Sequence, residues 1–172
     1  LVMGTRCGDL DPGVPGFVAR ALGLTLAQIE AALYSDSGLK GLSGESSDLR
    51  IVEKRAGEGV GAAQLAMQVH AYRVRKYIGA YAAAMGGCDA VAFTGGAGEN
   101  SAALRRRIVD GLEFIGLELD EERNRAYSPN TEVAQLQSSR SAVAVLVVQA
   151  REQLAIARET FRALNDQASG LV

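Results

Sequence analysis

Cysteine and histidine are almost missing from this chain. Two cysteines and one histidine occur among 172 residues. Cys7 and Cys88 lie far apart, with no CxxC pair and no cluster of Cys and His around either. That excludes a disulfide framework and a Cys/His metal site, and leaves free thiols in a reducing cytoplasm as the expectation. The lone histidine, His70, falls beside an apolar helical stripe and is assigned no chemical role. Charge of one sign is also lacking. A net charge of −2 gives no electrostatic reason to expect nucleic acid or an anionic membrane surface as partner. No apolar run approaches the roughly 20 residues of a membrane span, and no stretch has the layout of a signal peptide. Internal repeats and low-complexity segments are absent too.

What is present is the balance of a soluble globular protein, 48% hydrophobic and 22% charged, long enough for one sizeable core. The opening Leu1-Val2-Met3 reads as the interior of a longer sequence, so a fragment is expected.

The most informative stretch is Ala90-Val91-Ala92-Phe93-Thr94-Gly95-Gly96-Ala97-Gly98-Glu99-Asn100. Small and apolar residues lead into a glycine cluster, and a periodic helical pattern follows. That order predicts a buried strand, a tight turn and a helix. Glycines let the backbone approach a ligand closely, and the first turn of a helix offers free N–H groups suited to phosphate. An ordinary βα turn tightened by glycine fits the same spacing.

Ahead of it, Met3 to Gly13 packs glycines, two acids and Arg6 into a loop. Arg6 can present its fork of donors to an anion, or brace the loop against Asp9 or Asp11. Phe17, Val18, Ala21 and Leu22 predict a helix ended by Gly23. Thr25 is placed to cap a second helix carrying Leu26, Ile29, Ala32 and Leu33. A polar, glycine-bearing region follows, in which Ser47 or Asp48 caps the next helix. From Gly61 to Met85, the residues Met67, Ala71, Val74, Ile78, Tyr81 and Met85 alternate at spacings of four and three, one continuous helical stripe. Arg73, Arg75 and Lys76 fall off the stripe and are expected in solvent. The alanines and Gly79 on the far side suit close approach of another helix or a partner subunit. Gly86-Gly87 ends this helix.

Beyond the glycine cluster, Leu104, Ile108 and Leu112 predict a helix of about three turns. Gly116 to Asp120 reads as a short strand, Asp120 to Tyr127 as a brief charged helix, and Ser128-Pro129-Asn130 as a break. Val133 to Leu136 is a weaker strand and Val143 to Val148 a strong, buried one. Helix returns from Arg151, and residues 166–172 are expected as a frayed tail. Alternating strands and helices predict an α/β fold with largely parallel pairing.

Spacing alone leaves two functional classes. One is dinucleotide binding, with Gly96-Ala97-Gly98 after a strand and Asp120 as the ribose-binding acid. Against it, Ser101 stands where a third glycine or alanine belongs. The other is a phosphotransferase, with Arg6, the Asp48-Leu49-Arg50 turn and the glycine cluster converging on one phosphate chain.

Three stretches read together resemble the acetate kinase family of carboxylate phosphotransferases. They are Met3-Gly4-Thr5-Arg6-Cys7-Gly8-Asp9-Leu10-Asp11-Pro12-Gly13, Gly44-Glu45-Ser46-Ser47-Asp48-Leu49-Arg50 and Phe93-Thr94-Gly95-Gly96-Ala97-Gly98-Glu99-Asn100. The segments Tyr72 to Tyr81 and Gly111 to Asp120 fit as well, so the resemblance runs in order along essentially the whole chain. It implies the C-terminal lobe of an actin, sugar-kinase and Hsp70-type (ribonuclease H-like) fold, incomplete here, with residues 1–165 as the nucleotide-binding lobe and the N-terminal lobe absent.

The implied activity is reversible, Mg²⁺-dependent transfer of the γ-phosphoryl of ATP to acetate, giving acetyl phosphate and ADP. Propionate is the implied second substrate, a cytoplasmic homodimer the implied assembly. Arg6 takes the position of the catalytic arginine, and Asp48, Leu49 and Arg50 that of the segment bordering the adenosine. Gly96, Ala97, Gly98, Glu99 and Asn100 match the nucleotide loop, and Glu152 the glutamate associated with Mg²⁺. An always-protonated arginine suits phosphoryl transfer, which asks the protein for position and charge. Two departures stand out. The family's usual Thr-Asn-Glu-Glu-Leu reads Ala150-Arg151-Glu152-Gln153-Leu154 here, which weakens the metal assignment, and Ala97 replaces a usual isoleucine. The chain by itself is expected to be inactive, and a non-catalytic nucleotide-binding or dimerisation fragment is the alternative reading.

Overall fold

The computed structural model describes residues 1–169. The first helices form where caps and apolar spacing coincide. Helix α1 (Gly13–Leu22) closes on Gly23, whose φ of 65° is open to glycine at no steric cost. Helix α2 (Leu26–Ser35) opens on a capping box in which Thr25 and Gln28 satisfy each other's backbone N–H. The polar region after it is not all loop. Gly38–Ser43 makes a short helix, α3, because Gly38 (φ 61°) turns the chain against the carbonyls of Met3, Gly4 and Arg6, with no room for a side chain. Leu39 N–H then donates to the Met3 carbonyl and Lys40 N–H to that of Gly4. Asp48 caps α4 (Leu49–Gly57) as expected.

Helix α5 (Gly61–Met85) has the predicted ends, with Gly86 as its left-handed C-cap. The stripe Met67, Ala71, Val74 and Ile78 lies in or against the core, but Tyr81 and Met85 are exposed and Ala82 is the buried residue of that last turn. Ala63, Ala66 and Ala71 are small enough for α3 and α4 to pack close. Arg73 and Arg75 are not simply solvated. Arg73 pairs with Asp9, which also accepts from the Tyr77 hydroxyl at 2.6 Å, and Arg75 donates to the Ile108 and Arg107 carbonyls. His70 is half-buried packing, and burial holds its pKa below the ordinary histidine value.

Strand β1 (Ala90–Phe93) leads into two helices, α6 (Gly95–Asn100) and α7 (Ala102–Val109), where a tight glycine turn and one helix of about three turns were expected. Ser101 makes the division: its extended backbone ends α6 and its hydroxyl caps α7 by accepting from Leu104 N–H. Gly116 to Asp120 is not a strand. A turn of 3-10 helix (Glu113–Ile115) precedes it, and only one bridge, Leu119 to Gln137, forms. Asp120 caps α8 (Glu121–Ala126), accepting from the N–H groups of Glu122 and Arg123. Strands β2 (Val133–Gln135) and β3 (Ala144–Val148) follow, then α9 (Glu152–Ser169). Helix therefore continues to Ser169, into the stretch expected as a tail, and residues 170–172 lie outside the described part.

The sheet has the order β1-β3-β2 and is mixed. β1 runs parallel to β3, Ala90 facing Ala144, whereas β2 is antiparallel, so the expectation of largely parallel pairing holds for only one of two pairs. β1 is an edge strand and half-exposed rather than buried; of its residues only Phe93 is covered. Val145 and Val147 on one face of β3 meet Leu104 and Ile108 of α7 and the α4–α5 pair in one core. Each such side chain contributes about 1.5–3 kcal/mol relative to exposure, and together they fix the glycine-rich α6 at the end of β1.

Candidate functional site

A cleft of about 520 Å³ opens between the start of α4 and α6. Leu49, Arg50 and Glu53 line one side, and Gly96, Ala97, Asn100 and Ser101 the other. Two sequence motifs separated by the whole of α5 and β1 are thus brought to one place. The expected nucleotide residues Leu49, Arg50, Gly96, Ala97 and Asn100 all line this cleft. Asp48 does not. Its carboxylate accepts from the Arg50 backbone N–H at 2.9 Å and from the Arg50 guanidinium at 2.6 Å, so it caps α4 and holds Arg50 in place. Those bonds, the guanidinium first and the backbone N–H next, pull the Asp48 carboxyl down to about 2.

Gly98 also has a packing job beside the one its motif suggests. A Cβ there would lie 3.1 Å from the Phe93 carbonyl carbon. The glycine lets α6 fold back on β1. Gly95 carries the positive φ of the turn, 70°. Glu99 turns its carboxylate inward: one oxygen accepts from Gly95 N–H at 2.8 Å and from Ala150 N–H at 2.9 Å. Asn100 caps the turn from the other side, donating to the Gly96 carbonyl.

Two residues at this site, Glu53 and Arg105, escape the motif reading. Glu53 accepts from the Ser101 hydroxyl at 2.9 Å and so ties α4 to the start of α7 across the cleft. Arg105 is 1% exposed. Its guanidinium donates to the carbonyls of Gly98 and Glu99, and to both the side chain and the carbonyl of Asn124. It also lies over the Tyr127 ring, 5.2 Å from the centroid. Burial, opposed by the neighbouring Tyr127 and Glu53, holds its pKa below the ordinary arginine value. A signal for Arg105 is present in the sequence: it precedes Val109 by one helical turn and stands beside Leu104 on the apolar side of α7.

Arg6 sits apart from the α4–α6 cleft. It lines a second, larger cavity of about 720 Å³ with Met3, Cys7, Ala27, Glu30 and Tyr34. The guanidinium lies 5.2 Å from the centroid of the Tyr34 ring. Among the described residues it forms no ion pair. The loop brace envisaged for Arg6 is therefore not made; Asp9 pairs with Arg73, and Asp11 turns its carboxylate to Gly13 N–H. The dinucleotide reading fails on Asp120, whose carboxylate is used as a helix cap.

Glu152 is exposed in the first turn of α9. No group of three or more His, Cys, Asp and Glu side chains that could hold a metal ion comes together among the described residues. One exposed carboxylate is enough only for a cation carried on a substrate's phosphates. Arg151, whose charge stands beside Glu152, is directed to Glu132 at 3.4 Å. Both cysteines are free thiols. Among the described residues no single helix is long and apolar enough to cross a membrane.

The acetokinase family profile matches residues 1–158. An acetate kinase of Heliobacterium modesticaldum is 45% identical over 164 residues, 95% of this chain and 40% of that protein. Among solved structures, the acetate kinase of Porphyromonas gingivalis superposes with a TM-score of 0.85 at 43% identity, over 95% of this chain and 41% of that one. A propionate kinase from Francisella tularensis gives 0.82 at 35% identity, over 92% and 40%. These likenesses make the mixed α/β architecture part of the actin, sugar-kinase and Hsp70-type fold. The chain spans about 40% of the length of the curated relatives it matches. With the profile extending over nearly all of it, the chain belongs to the acetokinase family.

Proposed function

We propose that this chain is the nucleotide-holding, C-terminal lobe, residues 1–165, of an acetate kinase. In the complete protein a carboxylate oxygen of acetate attacks the γ-phosphorus of ATP, the bond to the departing ADP oxygen breaks, and acetyl phosphate is formed. The reverse reaction uses the same groups. The observation that carries this reading is the convergence of Leu49, Arg50, Gly96, Ala97 and Asn100 on one cleft, from two motifs far apart in sequence.

In this reading, Leu49 and Ala97 supply apolar surface for the nucleoside, and the Gly96–Asn100 backbone runs beside its phosphates. Asp48 serves by fixing Arg50. Arg6, in its own cavity, supplies charge to the transferring phosphoryl and the carboxylate; a fixed, always-protonated guanidinium is what phosphoryl transfer asks for. Mg²⁺ accompanies ATP on its own phosphates, with Glu152 as the proposed carboxylate from this chain. Propionate is the proposed second acceptor, supported by the likeness to a propionate kinase. A homodimer is supported by α5, along which Leu65, Tyr72, Tyr81 and Met85 are exposed. The free Cys7 and Cys88 thiols support a reducing, cytoplasmic compartment.

Trapping acyl phosphate with hydroxylamine tests the acceptor, using the protein completed by its other lobe. Acetate should be the best substrate and propionate the next; butyrate preferred over both defeats the assignment. The 172-residue chain alone should bind ADP but show no turnover, since the carboxylate pocket is not complete in it.

A further inference from the structure

The Glu99 carboxylate belongs to the stretch whose likeness suggests nucleotide contact, yet it is directed at two backbone amides. One oxygen accepts from Gly95 N–H at 2.8 Å, within its own turn, and from Ala150 N–H at 2.9 Å, on the connection between β3 and α9. The two amides are otherwise separate: Gly95 opens α6, and Ala150 lies two residues before Glu152. At its other end α6 is held by the Arg105 guanidinium, which takes the carbonyls of Gly98 and Glu99. A six-residue helix rich in glycine has little stability of its own, because each glycine loses more backbone freedom than any other residue on ordering. Its shape must come from side chains that grip its backbone. Glu99 and Arg105 are those side chains.

We infer that Glu99 is a positioning residue, a clasp that fixes the α6 backbone to the segment leading into Glu152 and does not itself touch the nucleotide. The inference rests on the nucleotide reading of the α4–α6 cleft. Its physical content is reach first and charge second. A charged acceptor shared by two N–H groups is a strong, short-range tie, and it works only if the oxygen extends as far as both amides. Loosening it lets Gly96, Ala97 and Asn100 drift from Leu49 and Arg50, and frees the stretch that carries Glu152 from the glycine turn.

Two variants separate reach from charge. Glu99→Gln keeps an oxygen at the same length and loses the charge; Glu99→Asp keeps the charge and is one methylene short. Both are mild enough to leave the core of β1, β3, α5 and α7 intact. Amide hydrogen exchange of the 172-residue chain without ligand reads the clasp directly. In Glu99→Asp, the Gly95 and Ala150 amides should exchange roughly tenfold faster, as for the loss of one charge-assisted hydrogen bond. In Glu99→Gln they should stay within about threefold of the wild type.

Calorimetric titration with ADP should rank the proteins in the same order, wild type and Glu99→Gln tight, Glu99→Asp roughly tenfold weaker. If Glu99→Gln loses ADP as badly as Glu99→Asp or worse, the charge acts on the ligand and the clasp assignment is overturned. Unchanged exchange at both amides in Glu99→Asp overturns it as well. Failure of the wild-type chain to bind ADP overturns the nucleotide reading, and with it the effect on affinity; the exchange arm still decides whether the clasp exists.

Discussion

The Arg105 guanidinium donates through Nε to the Asn124 side-chain oxygen at 2.8 Å, both residues 1% exposed, and this pair joins the glycine-rich turn to helix α8. The amide nitrogen of Asn124 in turn donates to the Ala102 carbonyl. Four of the five N–H donors of this buried cation are occupied, and such pairing is what lets an arginine be tolerated in a core.

Replacing Arg105 by methionine fills most of the volume but strands the Gly98, Glu99 and Asn124 acceptors. The expected loss is about 2–4 kcal/mol of unfolding free energy. Asn124→Ala should cost less, on the order of 1–2 kcal/mol, and the two losses should not add. A double-mutant cycle by urea unfolding checks this. Strict additivity sinks the idea that they form one unit.

Gly98→Val is expected to act on stability first. Its Cβ meets the Phe93 backbone at 3.1 Å, and backbone yields less readily than the end of a side chain. Overpacking of this kind costs about 1–3 kcal/mol. Thermal unfolding of the variant should fall by several degrees before any change in ADP affinity is seen. A normal melting curve with weakened ADP binding reverses the assignment and makes Gly98 a ligand-contact position.

The Asp48 cap predicts a pH response with a definite sign. The carboxyl titrates at about 2 in the folded protein against an ordinary value of 3.8, so the folded state favours the ionised form. Its contribution is fully present above the ordinary value and disappears as pH falls through about 2. The cap is solvent-accessible, so added salt should weaken the effect. Comparing acid unfolding of wild type and Asp48→Asn, the variant should lack this part of the slope between about pH 4 and pH 2. Carbon-detected NMR titration of the Asp48 carboxyl at an ordinary value contradicts the prediction.

Much of this fold is written in local signals. Thr25 with Gln28, Asp48, Asp120, and the glycines at 23 and 86 mark helix ends by chemistry that acts over three or four residues, and those ends fall where expected. What local signals do not carry is the partner. Gly38–Ser43 becomes a helix because of carbonyls in residues 3–6. The split between α6 and α7 depends on Ser101, whose hydroxyl is shared between Leu104 N–H and Glu53, a residue on another helix. The exposure of β1 follows from its place at the edge of the sheet, and the antiparallel entry of β2 from the way residues 116–143 wrap back on β3. At the site, the motifs named the cleft but not the division of labour within it. Asp48, Gly98 and Glu99 support the backbone, while Leu49, Arg50, Gly96, Ala97 and Asn100 line the open space.

The placement of Arg6 predicts that its loss separates turnover from nucleotide affinity. It lies in the cavity beside α2, not in the α4–α6 cleft, and its guanidinium rests on the Tyr34 ring. Arg6→Ala in the protein completed by its other lobe should therefore lower kcat on the order of 10³-fold or more, by analogy with arginines at other phosphoryl-transfer sites. The Kd for ADP should move little. Tyr34→Ala removes the surface that holds the guanidinium while leaving its charge, so a smaller loss in kcat is expected, of roughly tenfold. Tyr34→Phe keeps the ring face and should restore most of it. Steady-state kinetics with acetate and ATP varied in turn, alongside ADP titration, measures both sides of the prediction. A turnover number that survives Arg6→Ala while the KM for ATP rises places Arg6 with the nucleotide and removes it from the transferring phosphoryl.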